Sequence, residues 1–459
     1  MVTNRNMTAR WIASVGLFLL GGACTSVPAL STPPAPPTPV PEVRPLPLLA
    51  QPLTPVEIQM RDAVRLHYNE SIALLERAVN IPSGSLNRAG VKRVGDLFAA
   101  ELRGLGFETE WVAMPDSIRR AGHLVAIHRG TLRPRLLLIG HLDTVFEGDG
   151  QRWVQEDTIA RGAGTSDMKG GDVAMILALR ALSDAGRLKD MHVTVVMTGD
   201  EESTGQPLSV SRAALLEAAR NSDLALVFEG GTATRVAISR RGASSWSLTV
   251  NARQAHSSGI FSEGAGFGAA YEGVRILDEF RRQMAGERGL TFNIGIMASG
   301  ANVVRDTVRA ALVVDGKHNI IPPVLNASGD LRFLTEAQKD SARARMRAIV
   351  ARPLAQAQGT ITFEDRYPAM PVTAGGERLL AIFDATSRSL GYPSVSSGSP
   401  ESRGAGDVSF VAPIIPGIDG LGVAGSGAHS PREQVYLPSI RLSAERAAVF
   451  MSRLVDQWK

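Results

Sequence analysis

Between Leu136 and Phe228 the chain repeats one unit, an apolar run followed by a polar turn and a helical pattern, and few architectures accept that rhythm. The run Leu136-Leu137-Leu138-Ile139 is short and shows no alternation, as expected of a strand covered on both faces. A helix is predicted near Asp172 to Ala185, then a strand from His192 to Met197, a helix near Ser211 to Arg220, and a strand from Leu224 to Phe228. Strands alternating with helices imply an α/β class with a largely parallel sheet, in which ligands gather at the carboxyl edge.

Upstream, apolar residues at helical spacing from Ile58 to Val79 predict a helix stopped by Pro82, and a second helical pattern runs from about Val91 to Leu105. After Arg241 the character changes. A strand at Ser245 to Val250 precedes a helix near Tyr271 to Phe280, strands near Thr291 to Ile296 and Ser328 to Leu334, a helix near Ala337 to Val350, and a strand near Thr360 to Phe363. That β-α-β-β-α-β order fits a ferredoxin-like α+β insert. The α/β pattern resumes with a helix from Arg378 and closes with Ser443 to Gln457. The length of 459 residues suits two units, with expected bounds of 55–240 and 367–459 for the first and 241–366 for the insert.

The N-terminus reads as a targeting segment, residues 1–24: Arg5 and Arg10 precede the apolar run Trp11 to Leu20 and the small residues Gly21, Gly22 and Ala23. Cys24, the single cysteine, falls where bacterial lipoproteins carry their lipidated cysteine, although Gly21 stands where that motif usually has Leu. Lipidation of Cys24 and ordinary signal cleavage both remain open, and export to the periplasm is the expectation under either. Residues 25–54 are rich in proline and read as a tether. A net charge of +4, with basic residues scattered, argues against a nucleic-acid surface, and the body holds no apolar stretch of bilayer-spanning length.

Chemistry-bearing residues fall at the predicted strand ends. His141 and Asp143, in Gly140-His141-Leu142-Asp143-Thr144, follow the first strand, where one can bind a metal and the other orient it. Alone, such a histidine is more often merely hydrogen-bonded. Asp167, in Gly164-Thr165-Ser166-Asp167-Met168-Lys169-Gly170-Gly171, precedes the next helix and suits either a helix cap or a carboxylate bridging two cations. Asp200-Glu201-Glu202 ends the second strand; a solvated loop explains three adjacent acids, and so does a metal. Glu229 ends the third strand, and His429 lies in a glycine-rich loop downstream.

Together these motifs resemble the zinc carboxypeptidase and deacylase family of glutamate carboxypeptidase, acetylornithine deacetylase, succinyl-diaminopimelate desuccinylase and the aminoacylases, from about Pro55 to the C-terminus. The resemblance is nearest to glutamate carboxypeptidase. It implies two zinc ions, with cobalt or manganese as substitutes: His141 and Glu229 on one, Glu202 and His429 on the other, Asp167 bridging, and Asp143 clamping His141. It further implies Glu201 as general base and a cis peptide after Asp167. His256, in Ala255-His256-Ser257, would reach the partner subunit's site to stabilise the oxyanion, which makes a homodimer the expected assembly. Arg332 would grip the substrate carboxylate, as a planar guanidinium suits, and Asn302 the neighbouring carbonyl. Gly404-Ala405-Gly406-Asp407 would line the pocket.

One departure bears on Asn302: Arg305 to His318 separates it from Asn319-Ile320-Ile321-Pro322, which follows almost at once in glutamate carboxypeptidase-like sequences. Within the family, Glu at position 229 goes with substrates carrying a free carboxylate beside the scissile amide. The expectation is a hydrolase that releases a C-terminal amino acid from a peptide or N-acyl amino acid, with an N-acyl amino acid deacylase as the alternative. A binding protein without turnover would need no base at Glu201.

Overall fold

The computed structural model describes residues 48–149, 151–306, 311–402 and 404–458. The expected signal segment with Cys24, and residues 25–47 of the expected tether, lie outside the described residues.

Five strands, β1 (Glu108–Ala113), β2 (Gly122–His128), β3 (Leu132–His141), β4 (Met191–Thr198) and β5 (Leu224–Val227), form one sheet with Gly417–Asp419 in the order β1, β2, β4, β3, β5, Gly417–Asp419. Pairing is parallel from β4 to Gly417–Asp419 and antiparallel at β1 and β2. The run at 136–139 lacks alternation because both faces are covered. Leu136 and Leu138 pack with the helices Lys169–Asp184 and Pro438–Gln457, while Leu137 and Ile139 pack with the helix Ala213–Arg220. Each such side chain contributes about 1.5–3 kcal/mol by leaving water. Strands β1 and β2 extend the expected parallel sheet as an antiparallel edge, and the half-exposed residues of β1 give it no strong apolar signature.

The segment Ile58 to Val79 is divided into two helices, Pro55–Leu66 and Tyr68–Val79. His67 breaks it, leaving helical geometry at φ −91° and ψ 7°, with its ring hydrogen-bonded to Glu70 at 3.1 Å and Asp184 at 2.8 Å.

A second sheet is built from β6 (Gly242–Ala252), β7 (Ile296–Gly300), β8 (Val324–Phe333) and β9 (Ala357–Tyr367), in the order β9, β6, β8, β7 and antiparallel throughout. This is the strand placement of a ferredoxin-like β-α-β-β-α-β unit. Trp246, Leu248 and Val250 of β6 pack on the helices Gly268–Met284 and Glu336–Val350 in a core of their own. The strand expected near Thr291 to Ile296 is split, Thr291–Phe292 and β7 pairing separately with β8. Of the residues following Asn302, Asn302–Asp306 and Ala311–Asp315 pair as a hairpin. The chain leaves and re-enters the first unit at one place, where Arg240 and Met370 exchange main-chain hydrogen bonds of 2.9 and 3.0 Å. No helix among the described residues is long and apolar enough to cross a membrane.

Candidate metal centre

The carboxyl ends of β3, β4 and β5 meet at a cavity of about 440 Å³ lined by Asp167, Glu201, Glu202, Glu229 and His429, with Arg240 in its wall. Close backbone packing brings these ends together. A Cβ on Gly171 would lie 1.9 Å from the carbonyl oxygen of Phe228, so only glycine lets the helix Lys169–Asp184 approach the residue before Glu229. His429 reaches the cavity in the left-handed region at φ 60°, a conformation that costs energy in a non-glycine residue and concentrates at functional sites.

Two groups of side chains result, His141 with Asp167 and Glu229, and Asp167 with Glu202 and His429, the ligand atoms of each lying within 4.8 Å of one another. Asp167 belongs to both. Its Oδ1 lies 3.3 Å from Nε2 of His141 and its Oδ2 3.2 Å from Nε2 of His429. Glu229 stands 3.5 Å from the first imidazole and Glu202 3.1 Å from the second. The peptide after Asp167 is cis.

Asp143 lies beneath, fully buried. Its main-chain carbonyl is the nearer acceptor to Nδ1 of His141, at 3.0 Å, with the carboxylate at 3.5 Å. That carboxylate accepts the Ser85 hydroxyl at 2.6 Å and the main-chain N–H groups of Glu201 and Glu202 at 3.0 and 3.1 Å. One acid therefore touches the histidine and fixes the loop that carries both glutamates.

The electrostatics follow from crowding. Burial, with the negative charges of Glu229, Asp407 and Glu202 adding to it against His141, pushes the Glu201 carboxyl well above the usual carboxylate range. Burial likewise lifts Glu202 to about 7. Against its own burial, His141 is raised well above the ordinary histidine range by Asp143, Asp167 and Glu229. Hydrogen bonds to Asp167 and Glu202 raise His429 to about 10. Without cations, the two imidazoles hold protons to offset the acids. The donor set fits divalent metal: two imidazoles and three carboxylates in two groups sharing one carboxylate, with the His141 nitrogen facing Asp167 set by the hydrogen bond on the other.

Several residues of the site carry no motif that singled them out. Glu433 accepts the N–H groups of Gly164, Ser166 and Asp167 at 2.9 to 3.0 Å and so holds the loop bearing the shared carboxylate. Its one signal is an acid four residues after His429. Arg212, fully buried, donates to Asp200 at 2.6 Å and to Asp407 at 2.8 Å. Gly404 and Ala405, from the motif expected to line the pocket, line the cavity, and Arg240, which no motif marked, donates to the Gly404 carbonyl at 2.6 Å and pairs with Asp419.

Three expected substrate residues do not line this cavity. His256 pairs with Ile320 at the edge of the insert, its ring exposed and 2.8 Å from the Ser258 hydroxyl. Asn302 is exposed and pairs with Asp315 at the base of the hairpin. Arg332 lies on β8, partly exposed, donating to Asp330 at 3.0 Å.

The model of the peptidase family M20/M25/M40 matches residues 137–453. Carboxypeptidase G2 of Pseudomonas sp. is 26% identical over 382 residues, covering 79% of this chain and 84% of that protein. A succinyl-diaminopimelate desuccinylase of Psychrobacter arcticus is 25% identical over 405 residues, covering 84% and 94%. Among solved structures, the aminopeptidase PepT of Bacillus cereus shares the fold at a TM-score of 0.67 and 16% identity, covering 85% of this chain and 99% of that one.

Proposed function

Because the chain belongs to the peptidase family M20/M25/M40 and is a hydrolase of that family, we propose that it cleaves the amide bond beside a free carboxylate, releasing a C-terminal amino acid from a peptide or N-acyl amino acid. One observation carries the reading: Asp167 shared between two imidazole-carboxylate groups, with Glu201 in the same cavity and in neither group.

His141, Asp167 and Glu229 would hold one divalent ion and Asp167, Glu202 and His429 the other, zinc suiting this donor set, with cobalt or manganese as substitutes. When bound, such a pair polarises the scissile carbonyl and acidifies water. Glu201 then takes the proton of the attacking water and returns it to the leaving nitrogen, and Asp143 keeps Glu201 in place. Arg332 grips the substrate carboxylate, Asn302 the adjacent carbonyl, and His256 acts on the oxyanion of a second copy's site, since its exposed ring stands apart from the cavity of its own chain. A homodimer follows from that role. The sequence alone supports export to the periplasm, with a lipid anchor at Cys24 as one outcome of processing.

A second reading, an N-acyl amino acid deacylase, is favoured by the likeness to the succinyl-diaminopimelate desuccinylase of Psychrobacter arcticus. Turnover of dipeptides, folate-like acyl glutamates, N-acetyl and N-succinyl amino acids by metal-loaded protein separates the two. Chelator-sensitive release of the C-terminal amino acid is expected, and no turnover on any member of the panel sinks both readings.

A further inference from the structure

We propose that Tyr367 is a positioning residue that ties the inserted sheet to Glu201; the inference rests on the reading of Glu201 as general base. Tyr367 is the last residue of β9, the strand on which the chain returns to the first unit. Its hydroxyl donates to the main-chain carbonyl of Glu201 at 2.8 Å and lies 3.0 Å from Oγ1 of Thr204. Its ring packs on Phe410 with centroids 5.1 Å apart, and the buried guanidinium of Arg212 stands 5.1 Å from the same Phe410 ring.

Both polar groups of the Glu201 main chain are therefore engaged. The N–H goes to Asp143, at the carboxyl end of β3, and the carbonyl to Tyr367, on the inserted sheet. Thr204 Oγ1 is 3.5 Å from that carbonyl, so it supplies no equivalent bond. A base works only when aimed, and a displacement of about 1 Å costs on the order of a hundredfold in rate. From the inserted sheet, the hydroxyl of Tyr367 thus fixes the main chain of the residue that moves the proton.

The test is Tyr367→Phe, which removes the hydroxyl and keeps the ring on Phe410. In the metal-loaded enzyme kcat is expected to fall about ten- to a hundredfold, with KM held within about twofold. In the metal-free protein, amide exchange at Glu201 and Glu202 is expected to rise several-fold, with metal affinity and unfolding temperature near those of the wild type. Thr204→Val is expected to leave kcat within about twofold. Wild-type kcat and exchange in Tyr367→Phe overturn the proposal. So does a joint fall of unfolding temperature and metal affinity, which marks a mere strut, or a Thr204→Val variant that behaves like Tyr367→Phe. Failure of the base reading looks different: Glu201→Gln would then turn over normally, whatever the exchange at Tyr367→Phe.

Discussion

The carboxylate of Asp143 accepts the main-chain N–H of Glu201 at 3.0 Å, so an acid buried beneath His141 also sets where the proposed base stands. Asp143→Ala strands the Ser85 hydroxyl and two N–H groups in a dry place, each orphan costing about 1–3 kcal/mol. Metal affinity or kcat is expected to drop about 10- to 100-fold. Calorimetric metal titration and steady-state kinetics check this, and Asp143→Asn should fall between the two.

Glu201→Gln keeps shape and removes the proton acceptor. Its kcat is expected to fall about a hundred- to ten-thousandfold. Metal affinity should hold, because Glu201 belongs to neither ligand group. Full activity with metal retained contradicts the assignment.

Without metal, the fold loses stability as pH rises. In the metal-free protein His429 is raised from 6.5 to about 10 by its hydrogen bonds to Asp167 and Glu202, and Glu202 is raised from 4.5 to about 7 by burial. Both folded values exceed the unfolded ones, so the folded chain binds more protons. Stability is lost as pH rises, from 4.5 through about 7 for Glu202 and from 6.5 through about 10 for His429. Asp167, held well below the usual carboxylate range by His141 and His429 against its own burial, loses its contribution only in acid. The chelated protein should therefore melt at lower temperature at pH about 9 than at pH about 6. Metal uptake should release protons and tighten with pH, as titration in buffers of different ionisation heat would register. A pH-independent affinity contradicts it.

Glu433→Ala should cost both ions together. Glu433 holds the N–H groups of Gly164, Ser166 and Asp167, and Asp167 serves both groups. Elemental analysis after dialysis should find both metals depleted; loss of only one would point to independent sites.

The parallel sheet was legible because Leu136 to Ile139 and its counterparts are buried on both faces, which erases alternation and leaves an unmistakable apolar block. His141, Glu202 and Glu229 were legible as candidates because they follow such blocks closely, whereas their grouping with Asp167 and His429 was implied by the resemblance to the family. Strand β1 was not legible, because an edge strand keeps much of its surface in water. Glu433, Arg212 and Tyr367 were hidden for another reason. Each acts on main-chain groups or on buried acids far away in sequence, and a partner chosen by tertiary contact leaves no spacing to read.

Arg240 and Met370 clasp each other where the inserted sheet departs and returns. The excursion thus has a single doorway, and the entropy of closing it grows only slowly with the length beyond the threshold. Extra chain such as the hairpin after Asn302 can accumulate there without disturbing the frame that holds Asp167. The chain is free to diversify on one side of the doorway, while the frame on the other stays as it is.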